Sequence, residues 1–278
     1  MSSGASAAPA WVGAARAQAG RTSPRPRMAL LLAGQAVGSV DAQIFDEIGL
    51  QRLLDKRWKL SKTEYAGAPA WQLQAGGPDD AGAALQAIAL ALRAAGRCGP
   101  WRDEQVAVCN PAGDRLATVE RGAVRVLGLA TQAVHLVGCT ADGQRLWVQQ
   151  RSLSKPTHPG AWDTLMGGLV SAADTLETAL ARETWEEAGL HLHQLQALCP
   201  GGTLHMTRPC DEGGPGCGWM VERIAWYQAV LPAPLVPEGQ DGEVERFECL
   251  PHDQVQARLA AGAFTPEAAL VLAAYYGW

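Results

Sequence analysis

Residues 168–190 read GLVSAADTLETALARETWEEAGL, and this stretch carries most of the evidence about the fold. Apolar residues recur in it at helical spacing, which predicts a helix from about Thr175 to Ala188. Gly189 follows directly and is typical of a helix C-terminus. The pair Gly167-Gly168 precedes the helix, and a backbone without side chains can approach a ligand closely. The stretch therefore predicts a helix that begins beside a ligand-accessible turn.

Three glutamates of this helix, Glu183, Glu186 and Glu187, stand at positions i, i+3 and i+4. This spacing places their carboxylates on one helix face, where they repel one another unless a cation is present. Hard divalent cations such as Mg²⁺ prefer oxygen ligands, hold phosphate oxygens and lower the pKa of a bound water. A solvated acidic face with salt bridges is the alternative. The neighbouring Arg182, the glycine pair and the glycine cap favour the metal site.

The same stretch resembles the Nudix box, in which a glycine, an Arg-Glu pair, a Glu-Glu pair and a final glycine recur at fixed spacing. The matching residues are Gly168, Arg182, Glu183, Glu186, Glu187, Gly189 and Leu190. Two positions depart from the pattern, because Asp174 replaces its first glutamate and Thr184 replaces a bulky apolar residue. In the family that first acidic residue supports the box, so the change bears on fine geometry more than on activity.

The resemblance implies a Nudix α/β/α sandwich and hydrolysis of a diphosphate linked to another moiety, with Mg²⁺ or Mn²⁺ as cofactor. Carried over by position, Glu183, Glu186 and Glu187 are the implied metal ligands and catalytic residues. Arg182 is implied to brace them by pairing with a box carboxylate. The backbone at Gly167-Gly168 is implied to bind metal or phosphate, with Gly168 among the metal ligands.

Family members often add a further acidic residue from a later loop, as a ligand or a base. The run Asp241-Gly-Glu-Val-Glu245 opens the last predicted strand and is the natural candidate. We favour Glu243 over Glu245 for this role. The alternative for either residue is an acidic strand edge that resists aggregation.

Three residues before the box are predicted to bind the substrate. Arg151 and Lys155 suit the terminal phosphates, because both side chains form charge-assisted hydrogen bonds with phosphate. Trp162 suits stacking on a flat heterocycle. The alternatives are surface charges that bracket a loop for the two cations and core packing for the tryptophan. His135 alternates with apolar neighbours in a strand and is predicted to be a core histidine.

Composition divides the chain into three parts. Residues 1–26 are rich in Ala, Ser, Gly, Pro and Arg and predict a flexible arm, with a short helix near residues 11–19. Residues 27–125 predict an α/β domain, and residues 126–278 correspond to the Nudix domain. No disordered linker separates these domains, so we expect them to pack together. The predicted fold class is α+β, a Nudix sandwich with a smaller α/β N-terminal domain.

Several short motifs outside the box resemble those of a narrower Nudix branch, which has an extra N-terminal domain and is related to the thiamine-pyrophosphokinase-associated Nudix proteins. These motifs are Trp101–Glu104, Val119–Arg121, Val134–Leu136, Arg151–Lys155, Pro159–Asp163 and Asp241–Val244. This resemblance implies that damaged or oxidised thiamine diphosphate is converted to the monophosphate. The alternatives are a Nudix hydrolase of another nucleoside-diphosphate-linked substrate, and a binding module that kept the fold and lost turnover.

The overall composition bounds the remaining possibilities. The chain has 278 residues, of which 47% are hydrophobic and 18% charged, and this excludes disorder for most of it. A formal net charge of −5 argues against nucleic-acid binding through a global field. The 7 cysteines form no CxxC pair and predict reduced thiols, and no apolar run is long enough to span a bilayer. We expect a cytoplasmic monomer or homodimer with a small-molecule diphosphate substrate and no nucleic-acid or membrane partner.

Overall fold

The computed structural model of the chain describes residues 8–54 and 56–278. Residues 1–7 of the predicted arm lie outside the described residues. Part of the remaining arm forms α1, Ala10–Ala19, close to the helix predicted there. This helix contacts the C-terminal end of the chain: the Trp11 and Trp278 rings lie 5.9 Å apart, and Arg16 Nη2 donates to the Trp278 carbonyl at 2.6 Å.

The N-terminal part is an α/β unit built on a four-stranded sheet and a separate two-stranded hairpin. Its elements are β1 Arg27–Leu32, β2 Gln35–Asp41, α2 Ile44–Glu47, α3 Leu50–Leu53, β3 Lys59–Tyr65, β4 Ala68–Gln74, α4 Pro78–Ala94, β5 Gln105–Cys109 and β6 Arg115–Glu120. The four-stranded sheet has the order β2-β1-β4-β3, with β1 and β4 parallel. The hairpin β5-β6 is antiparallel.

Helix α4 supplies the apolar face that the sequence pattern predicts. Leu85, Ile88 and Leu92 are fully buried in the core that this helix forms with the N-terminal strands. The sequence pattern predicts Asp79 or Asp80 as the cap of this helix, but that prediction is wrong, because the helix begins at Pro78 and its N-cap position is Gly77. The Asp80 carboxylate instead accepts a hydrogen bond from the Gly76 amide at 2.7 Å.

The second part is a seven-stranded mixed sheet with helices on both faces. Its elements are β7 Ala130–Thr140, β8 Arg145–Arg151, β9 Trp162–Asp163, β10 Met166–Leu169, α5 Leu176–Ala188, β11 Gln196–Cys210, β12 Gly218–Leu231, β13 Val244–Pro251, α6 His252–Ala260 and α7 Pro266–Tyr275. The main order is β11-β12-β7-β8-β13; β10 also pairs with β7, and β9 with β8.

Alternation along β7 separates two apolar layers. Ala133 and Val137 belong to the core that includes α6 and α7, whereas Val134 and Leu136 belong to the core that includes α5. The result is the α/β/α sandwich that the resemblance implies, and the predicted α+β class is confirmed. No helix in the described part of the chain is long and apolar enough to cross a membrane.

Helix α5 begins and ends where its sequence signals predict. Thr175 is the N-cap, and its hydroxyl accepts a hydrogen bond from the Thr178 amide at 3.2 Å. Gly189 ends the helix with a φ of +64°, a conformation that favours glycine. The sequence before the helix predicts one strand over Trp162–Val170, whereas the structure has two, β9 and β10. Between the two strands Thr164 Oγ1 donates a hydrogen bond to the Met166 carbonyl at 2.7 Å. A side chain, rather than a neighbouring strand, thus provides a hydrogen bond to this backbone carbonyl.

The segment that connects the two parts is buried. Val126, Leu127 and Leu129 pack in the N-terminal core, and so does Leu169 from β10 of the second part. A backbone hydrogen bond also joins this segment to the N-terminal sheet: the Ser39 amide donates to the Leu127 carbonyl at 3.0 Å. The expectation that the two parts pack together is confirmed, while the exact domain boundaries stay a prediction.

Replacing Leu129, which is 1% exposed, by alanine should lower the free energy of unfolding by about 2–5 kcal/mol, because it leaves a cavity in the core that both parts share. The matched control is Leu90→Ala, since Leu90 is 49% exposed and should change stability by about 0.5 kcal/mol or less. Chemical unfolding of both variants makes the comparison. Equal effects would show that the connecting segment is not part of a core.

Candidate active site

A cavity of about 1180 Å³ opens between the two parts of the chain. We call it the interdomain cavity; both the N-terminal unit and the sheet of the second part line it. The Nudix-like stretch reaches it through Gly167, Gly168, Glu183 and Glu187. The predicted turn and two of the three carboxylates predicted to bind metal therefore lie at one site.

The lack of a side chain at Gly168 brings α5 against β10. A Cβ atom at this position would lie 2.0 Å from the Glu183 carboxyl carbon, so no other residue fits without displacing that side chain. At Gly167 a Cβ atom would lie 2.6 Å from the His135 ring. The two glycines thus permit close packing with a carboxylate on one side and an imidazole on the other.

Glu187 is the most buried of the three helix carboxylates, at 2% exposure. Its Oε2 accepts hydrogen bonds from the Gly167 amide at 3.0 Å and from Gln149 Nε2 at 2.8 Å. Burial raises the pKa of Glu187, and nearby Lys155 opposes that rise. The carboxylate is therefore held in a fixed orientation beside the glycine turn.

Glu183 lies one turn earlier on the same helix and is 8% exposed. Burial, with the nearby negative charge of Glu187, raises the pKa of Glu183 to about 7. Its Oε1 accepts a hydrogen bond from Arg182 Nη1 at 2.9 Å. Two buried carboxylates thus face the interdomain cavity with incomplete compensation of their charge.

Arg182 links three acidic residues of the box. Its Nη1 also donates to Glu186 Oε2 at 2.8 Å, and its Nη2 donates to Asp174 Oδ2 at 2.8 Å. The side chain of Glu186 is 40% exposed. The bracing that the resemblance implies for Arg182 corresponds to these contacts. Asp174, despite its shorter side chain, reaches the guanidinium.

Lys155 stands between carboxylates of two different elements. Its Nζ lies 3.9 Å from Glu187 Oε1 and contacts Glu243 Oε2 directly. Burial lowers the pKa of Lys155, while the charge of Glu187 raises it. Glu243 lines the interdomain cavity, whereas Glu245 is exposed, so the structure brings together Lys155 and the acidic residue that the sequence favoured.

Arg151 also lines the interdomain cavity, but its guanidinium is engaged within its own loop. Its Nε and Nη2 donate to the Thr157 carbonyl at 3.2 and 3.0 Å, and its Nη1 lies 3.8 Å from Asp163 Oδ2. His135 is 4% exposed and its Nδ1 lies 3.0 Å from Thr164 Oγ1, as expected for a core histidine.

Trp162 is not brought to the other predicted site residues. Its ring packs in the core beside α6 and α7 and is 7% exposed. The guanidinium of Arg258 lies 4.2 Å from its ring centroid and covers it. Side chains alternate along β9, so Asp163 faces the interdomain cavity and Trp162 faces the core on the other side of the sheet. The core-packing alternative therefore describes the environment of Trp162.

Sequence reasoning missed Gln149 and the arginines of the N-terminal unit as cavity residues. Gln149 is 1% exposed and fixes Glu187, yet its position in β8 carries no motif. Arg102 and Arg121 line the interdomain cavity from the N-terminal side. They belong to the short motifs Trp101–Glu104 and Val119–Arg121, which marked this region without indicating a role.

The side chains at the glycine turn fit a divalent cation in their chemistry, although they are not yet arranged around one. In residues 8–54 and 56–278, no group of three or more His, Cys, Asp or Glu side chains is already arranged to hold a metal ion. The carboxylates nevertheless suit one, because Glu183 and Glu187 are buried anions with raised pKa values. Beside them, the buried oxygen Oε1 of Gln149 has no hydrogen-bond partner among the residues that the structure describes. An ammonium group, that of Lys155, already contacts Glu243 there.

Comparison with known families identifies the second part of the chain. Residues 130–271 match the NUDIX domain. This range contains β7 through most of α7, including the complete box. The match covers about half of the chain and begins after the segment that packs in the N-terminal core.

Two plant proteins are similar to about half of the chain. The chain is 32% identical over 152 residues to Nudix hydrolase 20, chloroplastic, and 35% identical over 144 residues to Nudix hydrolase 24, chloroplastic, both of Arabidopsis thaliana. The alignments cover 53% and 50% of this chain but 38% and 37% of the plant proteins. The chain thus spans less than two fifths of these relatives.

A crystal structure from Deinococcus radiodurans is similar at 22% identity with a TM-score of 0.48, and the alignment covers 61% of this chain and 97% of that one.

The carboxyl group of Glu183 binds a proton more tightly in the folded chain than in the unfolded chain, because its pKa is raised from 4.5 to about 7. This group favours folding fully below pH 4.5, and its contribution is lost as the pH rises through 7. In Glu183→Gln the contribution is absent. We expect the stability of the wild type relative to this variant to fall by about 3 kcal/mol from pH 4 to 8, measured by urea unfolding with a chelator present.

Glu245→Gln is the matched control, because the exposed carboxylate of Glu245 stays in water in both states. It should show no such trend with pH. The same pH dependence for both variants would contradict the raised pKa of Glu183.

Proposed function

The chain belongs to the Nudix family, and we propose that it is a metal-dependent hydrolase of small-molecule diphosphates, with Mg²⁺ or Mn²⁺ as its cofactor. One observation carries this proposal. Two buried carboxylates, Glu183 and Glu187, converge with the Gly167-Gly168 backbone on a cavity that also presents Arg151 and Lys155. Acidic groups for a cation and basic groups for phosphates thus share one site.

The proposed metal ligands are Glu183, Glu186 and Glu187, with the backbone of Gly168. When bound, the cation offsets phosphate charge and lowers the pKa of a water molecule near the attacked phosphorus. Arg182 holds Glu183 and Glu186 through the same nitrogen, so it sets the spacing of two ligands. Its bond to Asp174 anchors the guanidinium outside the helix.

The chain's own residues prepare the site in other ways. Gln149 and the Gly167 amide fix the Glu187 carboxylate, which removes the entropy cost of orienting it for each substrate. Lys155 contributes a positive charge at the same place and is proposed, with Arg151, to bind phosphate oxygens. Glu243 is proposed as the additional ligand or base, because it lies at the interdomain cavity in contact with Lys155.

We propose thiamine diphosphate or its oxidised forms as the first substrates to test. The support is the resemblance of the short motifs outside the box. The interdomain cavity, at about 1180 Å³, is large enough for a diphosphate with an organic group attached. A panel that adds a dinucleotide, a sugar nucleotide and coenzyme A distinguishes this substrate from the other Nudix substrates. A chain that binds diphosphates without any turnover would instead be a binding module.

Glu187→Gln should lower turnover by roughly a hundredfold or more, equivalent to about 2.7 kcal/mol of barrier, because it keeps the shape of the side chain and removes one charge. The melting temperature should stay the same or rise, since a buried carboxylate with a raised pKa is removed. Stabilisation by added Mg²⁺ should weaken. Phosphate release and product analysis over the panel measure turnover, and thermal unfolding measures the rest.

Glu177→Gln is the matched control on the same helix, because Glu177 lies in the exposed first turn of α5. It should retain wild-type turnover. Glu186→Gln should resemble Glu187→Gln if both residues ligate the metal. Near-normal turnover in both of these variants would show that the two carboxylates have only a structural role and that the hydrolase proposal is wrong.

A further inference from the structure

Two short motifs of the N-terminal unit contact each other at the edge of the interdomain cavity. Arg121 Nη1 pairs with Glu104 Oε2 at 2.6 Å, and the Arg121 amide donates to the Glu104 carbonyl at 2.8 Å. Glu120, which is 1% exposed, accepts hydrogen bonds from the backbone amides of Arg102 at 2.8 Å and Gly122 at 3.2 Å. These contacts hold Arg102 and Arg121 side by side on a fixed backbone.

The N-terminal unit gives the cavity wall a single sign of charge. Among the described residues before residue 126, all charged residues that line the interdomain cavity are arginines, namely Arg21, Arg25, Arg102, Arg121 and Arg125. The acidic residues that the structure describes along this cavity all come from the second part of the chain. The N-terminal wall is therefore basic, although the whole chain carries a net charge of −5.

Not all of these arginines are available to a ligand. Arg125 is bound by the buried Glu222 at 2.6 Å, and Arg25 by Asp41 at 2.5 Å. Arg102 is exposed, and within the described residues its guanidinium forms no ion pair. The Arg121 side chain is 38% exposed and uses Nη1 for Glu104.

Arg121 and Lys155 line the same cavity from its two sides. Arg121 and Arg102 reach the interdomain cavity from the N-terminal unit, and Lys155 reaches it from the second part of the chain. A multiply charged anion in this cavity would therefore meet basic groups from both parts.

We propose that Arg121, with Arg102 beside it, forms an anion subsite that the N-terminal unit contributes to the active site. This subsite holds one phosphate of the substrate while Lys155 holds the other, so the diphosphate lies across the interdomain cavity. The identity of the anion rests on the proposed function. The subsite selects diphosphates over monophosphates, because only a diphosphate reaches both basic groups.

The test uses the full chain in Mg²⁺ buffer, with inorganic diphosphate and inorganic phosphate as calorimetric probes. Arg121→Ala should weaken diphosphate binding about tenfold or more, equivalent to about 1.4 kcal/mol, and phosphate binding by clearly less. Arg121→Lys should recover part of the loss. Lys62→Ala is the control, because Lys62 is a cation of the same unit that pairs with Asp46 at 2.7 Å away from the cavity; it should leave both affinities unchanged.

Arg102→Ala guards against misfolding as an explanation, because Glu120 holds residue 102 only through its backbone amide. It should also weaken diphosphate binding and keep the wild-type melting temperature. With a hydrolysed substrate, Arg121→Ala should raise KM about tenfold and change kcat little, which indicates lost ground-state binding.

Wild-type diphosphate affinity in both arginine variants, or no diphosphate binding by the wild type, overturns the subsite. Normal hydrolysis with an unchanged KM in Arg121→Ala overturns it as well and leaves the hydrolase proposal intact. Diphosphate binding that depends on Arg121, in a chain without turnover on any diphosphate, supports the subsite and refutes the hydrolase proposal.

Discussion

The contact between Gly168 and Glu183 is the constraint on which the site depends. Because a Cβ atom at position 168 would lie 2.0 Å from the Glu183 carboxyl carbon, the packing of α5 on β10 keeps the Glu183 side chain in its place only when this residue is glycine. That packing places Glu187 beside the Gly167 amide, and β10 in turn pairs with β7. A missing side chain in one strand therefore determines where the helix carboxylates meet the sheet.

Electrostatics sets the character of the same site. Burying Glu183 and Glu187 disfavours their charged forms, and cations from two different elements oppose this effect: Arg182 on the helix and Lys155 in a loop. Neither cation fully neutralises the pair, since the pKa of Glu183 stays near 7. A site in this condition favours a ligand that brings both a cation and anionic oxygens.

The features that the sequence predicted are those that depend on local signals. Helix α5 has its cap at Thr175 and ends at a glycine. The pair Thr265-Pro266 is a similar signal, and in α7 the Thr265 hydroxyl accepts a hydrogen bond from the Ala268 amide at 3.2 Å. Strand β3 was missed because most of Lys59–Tyr65 is polar and exposed, so no apolar alternation marks it. The side to which Trp162 turns, and the placement of Arg121 and Lys155 at one cavity, depend on distant segments that no local pattern reports.

The burial of Leu169 in the N-terminal core also bears on how the chain forms as it is synthesised. Domains of a growing polypeptide commonly fold in order, the N-terminal one first. Here the first unit lacks part of its apolar interior until β10 has left the ribosome, because Leu129 and Leu169 both pack into it. The N-terminal unit therefore stays incompletely packed until these later residues have been synthesised. Folding of the N-terminal unit is thus coupled to synthesis of the second part and does not precede it.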